Sequence, residues 1–140
     1  MDTKARQLIA DIWLGQKLTQ VELDHVISVI RSEFTVLREF EHQYTPYGLT
    51  KVLILSESHC IIHTYPEQNF ISIDLFVCDP LADLEGVLKK VLSHFTTKRI
   101  RHEVLDRGIE KTAPFIGPGL RSEPTNSSTV EKAPEGKPLK

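Results

Sequence analysis

The run Glu57-Ser58-His59-Cys60-Ile61-Ile62-His63-Thr64-Tyr65-Pro66-Glu67, followed by Cys78, gathers the side chains best suited to chemistry. A serine that follows a peptide carbonyl carries an oxygen able to attack that carbonyl, and its β-carbon permits a later elimination. An internal nucleophile held in place removes much of the encounter cost of a bimolecular reaction. Imidazoles exchange protons near neutral pH and thiols hold a deliverable proton, which makes His63 and Cys78 candidates for acid–base work. Each also has an ordinary structural role, since serines are common turn residues and cysteines pack as small apolar groups. His59 and His63 have a spacing that fits one helical face, but their flanks favour strand and argue against a shared metal site. Strict strand alternation would put Ser58 and His63 on opposite faces, so their cooperation calls for a turn or bulge near Ser58.

The elements that must position these residues read as an alternation of strands and helices. Leu8 to Leu14 form a short apolar segment interrupted by Asp11, a candidate first strand. Leu18, Val21, Leu23, Val26, Ile27 and Ile30 recur as on an amphipathic helix that begins near Thr19 or Gln20. Phe34 to Phe40 reads as a strand, Pro46-Tyr47-Gly48 as a connection, and Val52 to Leu55 as a central strand. Cys60 to Ile62 and Phe70 to Val77 supply two more. In the latter, Ile71, Ile73, Leu75 and Val77 alternate with Ser72, Asp74, Phe76 and Cys78, giving one core face and one functional or interfacial face. Asp79, Pro80 and Asp83 mark the start of a second helix, with Pro80 in its first turn and Leu84, Val87, Leu88, Val91 and Leu92 as its buried stripe. Lys89 and Lys90 fall between the stripe positions near its C-terminus, where positive charge suits the helix dipole. Ile100 to Leu105 reads as a closing strand.

The chain has 140 residues and a formal net charge of -2 with dispersed basic residues, a pattern unlike a nucleic-acid groove and suited to a small-molecule substrate. Its two cysteines are too few for a cysteine-rich metal cluster and are expected as reduced thiols. No apolar run approaches bilayer length and the first residues lack an export signal, so no membrane partner and a cytoplasmic location are expected. From Lys111 onward, Pro114, Pro118, Pro124, Pro134 and Pro138 interrupt any core periodicity. One domain over residues 1–110 and a flexible tail over residues 111–140 are the expected organisation.

Taken together, Tyr44-Thr45-Pro46-Tyr47-Gly48, Glu57-Ser58-His59, His63-Thr64, Pro66-Glu67 and Cys78 resemble the short bacterial and archaeal S-adenosylmethionine decarboxylases, over about Arg6 to Gly108. The resemblance implies a two-layer α/β sandwich, with a mainly antiparallel sheet and helices on one side. It also implies a proenzyme that cleaves itself between Glu57 and Ser58, leaving Ser58 as a covalent pyruvoyl group. The substrate amine would join that group as a Schiff base. Loss of carbon dioxide would then yield decarboxylated S-adenosylmethionine for polyamine synthesis.

Residue by residue, the resemblance makes Ser58 the nucleophile, His63 a proton shuttle and Cys78 the proton donor to the product. Thr50, at the position of a family serine, becomes an oxyanion donor. Tyr44 matches an adenine-contact position and Glu67 a ribose-binding carboxylate. A homodimer with sites near the shared interface is implied as well. The chain departs from the family at Ala5-Arg6-Gln7 in place of Gly-Arg-His, at Lys51 in place of glycine, and at Cys78-Asp79, where glycine often follows the cysteine. These departures leave open a pyruvoyl-dependent arginine or ornithine decarboxylase, or a noncatalytic homologous partner.

Overall fold

A computed structural model describes residues 4–109. The chain order is β1 (Ala5–Leu14), α1 (Gln20–Glu33), β2 (Val36–Gln43), β3 (Leu49–Leu55), β4 (Ser58–Tyr65), β5 (Phe70–Val77), α2 (Leu84–Leu92) and β6 (Thr97–Arg107). The strands form one sheet in the order β2-β3-β4-β5-β1-β6, and every pairing is antiparallel. Both helices contribute buried residues to the core on one side of this sheet, which makes the α/β two-layer sandwich implied by the sequence.

Alternation determines which side chains face the helices. Leu8, Ala10, Ile12 and Leu14 of β1, Cys60 and Ile62 of β4, and Ile71, Ile73, Leu75 and Val77 of β5 are buried with Val26 and Ile30 of α1 and Leu84 and Val91 of α2. Full burial of each such aliphatic side chain contributes about 1.5–3 kcal/mol relative to exposure. The Leu84, Val87, Leu88 and Val91 stripe is buried as the periodicity predicts, with Leu92 partly so.

The helix starts follow from short-range hydrogen bonding. Thr19 caps α1 and forms a reciprocal capping box with Glu22, while Asp83 caps α2 by accepting from the Gly86 N–H. Pro80 therefore lies ahead of α2, in a turn closed by the Ala82 N–H and the Asp79 carbonyl at 3.1 Å, and not in the helix's first turn. Phe34 likewise ends α1, its N–H donating to the Ile30 carbonyl, so β2 starts at Val36 and runs on to Gln43.

Among the described residues no helix covers the sheet's other face. Across it, register aligns His42, Thr50, His63, Ser72, Asp11 and Arg101, one from each strand, in a single polar row. Half-buried Val52, Ile61 and Phe76 and exposed Ile9 lie on the same face beside that row. Among the described residues no helix is long and apolar enough to cross a membrane. The expected tail falls outside the described residues.

Candidate active site

Ser58 opens β4 directly after the two-residue turn Ser56-Glu57, opposite Leu55. Glu57 takes a left-handed backbone conformation, φ +62°, which costs a residue with a Cβ about 1–2 kcal/mol. The turn is tied down where the Ser56 N–H donates to the Thr35 carbonyl at 3.1 Å. The Ser58 hydroxyl oxygen accepts from the backbone N–H of Cys78 at 3.0 Å, so the two residues share one rim of the sheet. Arg6 braces the loop after Cys78 by donating to the Ala82 carbonyl at 2.8 Å while pairing with Asp106 at 3.4 Å. Cys78 is exposed, whereas Cys60 is buried in the core. Burial, reinforced by the negative charge of Asp74, pushes the Cys60 thiol up to about 12.

A second cluster lies further along the hairpin. Thr50 and His63 are cross-strand partners, and Thr50 Oγ1 lies 2.8 Å from His63 Nδ1. Tyr44 extends the chain, with its hydroxyl 2.9 Å from Thr50 Oγ1 and its ring edge-on to His42 at 4.7 Å between centroids. Gly48 lets this end of the hairpin close: its φ is +93°, and a Cβ there would lie 2.8 Å from the Thr64 carbonyl oxygen. Tyr44, Gly48, Thr64 and Pro66 also line a cleft of about 230 Å³ whose far wall is the start of α1. Glu67 stands exposed in the single 3-10 turn Pro66–Gln68, just past β4.

The two clusters do not meet within one chain. Pairing of β4 with both neighbours is regular from His59 to Thr64, so the turn before Ser58 is not followed by a bulge. Five strand steps put Ser58 and His63 about 16 Å apart along β4, on opposite faces. The sequence-derived residues thus divide into one end with Glu57, Ser58 and Cys78, and another with Tyr44, Thr50 and His63.

Several participants carry weaker sequence signals. His59 stacks on Phe76 at 5.5 Å, an aromatic contact on the uncovered face. Gln7 donates to Asp74 at 2.8 Å and accepts from Arg107, a β5–β1–β6 tie that alternation alone does not reveal. Lys51 turns toward the helix side, where it pairs with Glu39 at 3.2 Å and Glu41 at 3.5 Å. Glu39, held below the usual carboxylate range first by its hydrogen bond from Arg31, joins α1 to β2 and β3 through those two cations. The Lys51 departure is therefore absorbed on the face opposite Thr50. Among the described residues no group of three His, Cys, Asp or Glu side chains gathers to hold a metal.

Fold and residues together define a small α/β sandwich with a serine at a strained hairpin turn. The family model for S-adenosylmethionine decarboxylase matches residues 8–108, and the chain belongs to that family. It is 32% identical over 109 residues to the S-adenosylmethionine decarboxylase proenzyme of Archaeoglobus fulgidus, covering 74% of this chain and 96% of that protein. It is also 32% identical over 112 residues to S-adenosylmethionine decarboxylase proenzyme 2 of Bacillus cereus, covering 76% and 91%. The crystal structure of the adenosylmethionine decarboxylase from Aquifex aeolicus shares the fold, with a TM-score of 0.67 at 24% identity, over 81% of this chain and 98% of that one.

Proposed function

We propose that this chain is a proenzyme that cleaves itself between Glu57 and Ser58 and then decarboxylates S-adenosylmethionine for polyamine synthesis. The observation that carries the reading is Ser58 itself. Its hydroxyl directly follows a left-handed Glu57 in an exposed turn and is held by the Cys78 amide. The relatives, named as S-adenosylmethionine decarboxylase proenzymes, favour this substrate over arginine or ornithine.

In the processing step Ser58 Oγ adds to the Glu57 carbonyl carbon, and the amide becomes an ester. Loss of the Glu57 carboxylate from the serine β-carbon leaves an unsaturated residue. Water converts it, with release of ammonia, to a terminal ketone. Ser58 fits as the source of such a pyruvoyl group because the turn leaves both its carbonyl neighbour and its hydroxyl accessible. When formed, the pyruvoyl group supplies the electron sink for decarboxylation. His63 moves protons during cleavage, Thr50 donates to the developing oxyanion, and Cys78 returns a proton to the product carbon. The Tyr44 ring receives the adenine and Glu67 the ribose hydroxyls.

The separation of the two clusters supports a homodimer. Stacking the uncovered faces of two copies about a two-fold axis buries Ile61 and Phe76 and lets the partner's His63 and Thr50 approach Ser58 around the exposed turn at the hairpin end, where the sheet no longer stands between them. The domain over residues 1–110 is the catalytic unit in this reading, and the enzyme works in the cytoplasm.

Intact-mass analysis tests the reading. The purified chain should yield a fragment ending at Glu57 and a second fragment one ammonia lighter than a serine-initiated chain. Ser58→Ala should stay full length. An unbroken wild-type chain that releases carbon dioxide from S-adenosylmethionine would sink the proposal.

A further inference from the structure

Tyr44 carries a feature that an adenine contact does not need. The residue is 51% exposed, open to a ligand, yet its hydroxyl is engaged with Thr50, which in turn meets Nδ1 of His63. Three groups in a line, each a donor and an acceptor, have two consistent arrangements of protons. In one, Tyr44 donates to Thr50, Thr50 donates to Nδ1, and His63 carries its own proton on Nε2. In the other, Nδ1–H donates to Thr50, Thr50 donates to the Tyr44 oxygen, and Nε2 holds a lone pair.

We propose that the Tyr44 hydroxyl is the solvent end of a proton relay through Thr50 to His63, which switches Nε2 between giving and accepting a proton. This rests on the processing roles given to Thr50 and His63 above. A phenol donates more strongly than it accepts, and imidazole nitrogen is the better acceptor, so the resting relay places the proton on Nε2. His63 then begins by giving that proton to the oxygen of the Glu57 carbonyl as Ser58 adds. Nδ1 takes the Thr50 proton, Thr50 takes the Tyr44 proton, and Tyr44 takes one from water, whose hydroxide is neutralised by the proton leaving the Ser58 hydroxyl. The hydroxyl formed on the Glu57 carbon then gives its proton to the Ser58 nitrogen as that C–N bond breaks. Nε2 is left with a lone pair, ready to remove the Ser58 α-proton in the elimination. That uptake drives the relay backwards and returns a proton to water, so neither pass leaves a charge on the ring. Tyr44 acts through Thr50 and is a positioning residue for cleavage, independent of what its ring contacts. Adjacent His42 meets the ring edge-on, without joining the hydroxyl chain.

The test uses the full chain labelled with nitrogen-15 at histidine, with His63 assigned by comparison with His63→Gln. In mildly alkaline solution the wild-type His63 spectrum should show predominantly protonated Nε2, and Tyr44→Phe should raise the share protonated at Nδ1. Cleavage followed by intact mass should slow about fivefold in Tyr44→Phe, the effect of one neutral hydrogen bond. In a Thr50→Val background the same tyrosine change should slow cleavage no further, because the relay is already cut. Identical His63 spectra in wild type and Tyr44→Phe, or equal slowing in both backgrounds, would overturn the relay. If the wild-type chain never cleaves, the proposed function fails while the spectra still decide the role of Tyr44. If it cleaves and Tyr44→Phe changes neither readout, the relay fails and the function stands.

Discussion

Two cysteines of one chain meet opposite environments, and chemistry follows the environment. Cys60 is sealed in the core with its thiol pushed up to about 12, so it holds almost no thiolate at working pH. Cys78 is exposed beside Ser58, its amide bonded to the serine oxygen. A neutral alkylating reagent should therefore modify Cys78 in the folded protein and reach Cys60 only on unfolding, as peptide mapping by mass spectrometry would record. Labelling of Cys60 first would contradict the buried assignment. Cys78→Ala should lower turnover of the cleaved enzyme roughly 100-fold, the usual weight of a positioned acid, measured as product formed per cleaved chain. Unchanged turnover would remove Cys78 from the proton-donor role.

At the scale of elements, the start of α1 is held by a carboxylate whose ionisation burial opposes. Burial opposes ionisation of Glu22, and hydrogen bonds from the Thr19 side chain and backbone and from Gln16 outweigh it, holding its carboxyl below the ordinary 4.5. A depressed folded-state value stabilises the protein above pH 4.5, and that contribution is lost as pH falls below it toward the folded value. Glu22→Ala should cost about 1 kcal/mol at neutral pH, and Glu22→Gln should keep the cap but flatten the loss of stability on acidification. Urea unfolding of the uncleaved Ser58→Ala chain, at fixed protein concentration, would measure both; an unchanged acid slope in Glu22→Gln would refute the assignment. This cap was legible as Thr19 near a helix start, and β5 and the α2 stripe were legible because alternation and helical recurrence follow directly from burial on one face. The end of α1 and the place of Pro80 were not, because Phe34 and Pro80 suit more than one local role and hydrogen bonds to Ile30 and between Asp79 and Ala82 decide between them. Ser58, His63 and Cys78 stood out through the family resemblance, since by residue type alone each suits an ordinary structural role. Their division into two clusters did not, since it depends on the unbroken register of β4.

For the whole molecule, that division has a consequence that one chain cannot satisfy. Ser58 and His63 are separated by about 16 Å of regular strand and by the thickness of the sheet itself, and no side-chain rotation spans such a gap. The proposed two-fold dimer through the uncovered face would pair the serine end of each copy with the histidine end of the other, reaching Ser58 past the exposed turn at the end of the hairpin and not through the sheet. With the proposed roles, Ser58→Ala alone would lack the nucleophile and His63→Ala alone the proton-transfer group, so each should remain full length by itself. Co-expressed with distinguishable tags, they should form mixed dimers in which the His63→Ala chain keeps its own Ser58 and receives the imidazole of its partner. With equal expression and random pairing, about half of the His63→Ala chains should then be cleaved, and none of the Ser58→Ala chains. Intact mass of the co-expressed pool would read this directly, and purification through both tags, which keeps only mixed dimers, should raise the cleaved share of the His63→Ala chains toward all of them. Mixed dimers that stay uncut, or a His63→Ala chain that cuts itself when expressed alone, would show that the histidine does not act across an interface.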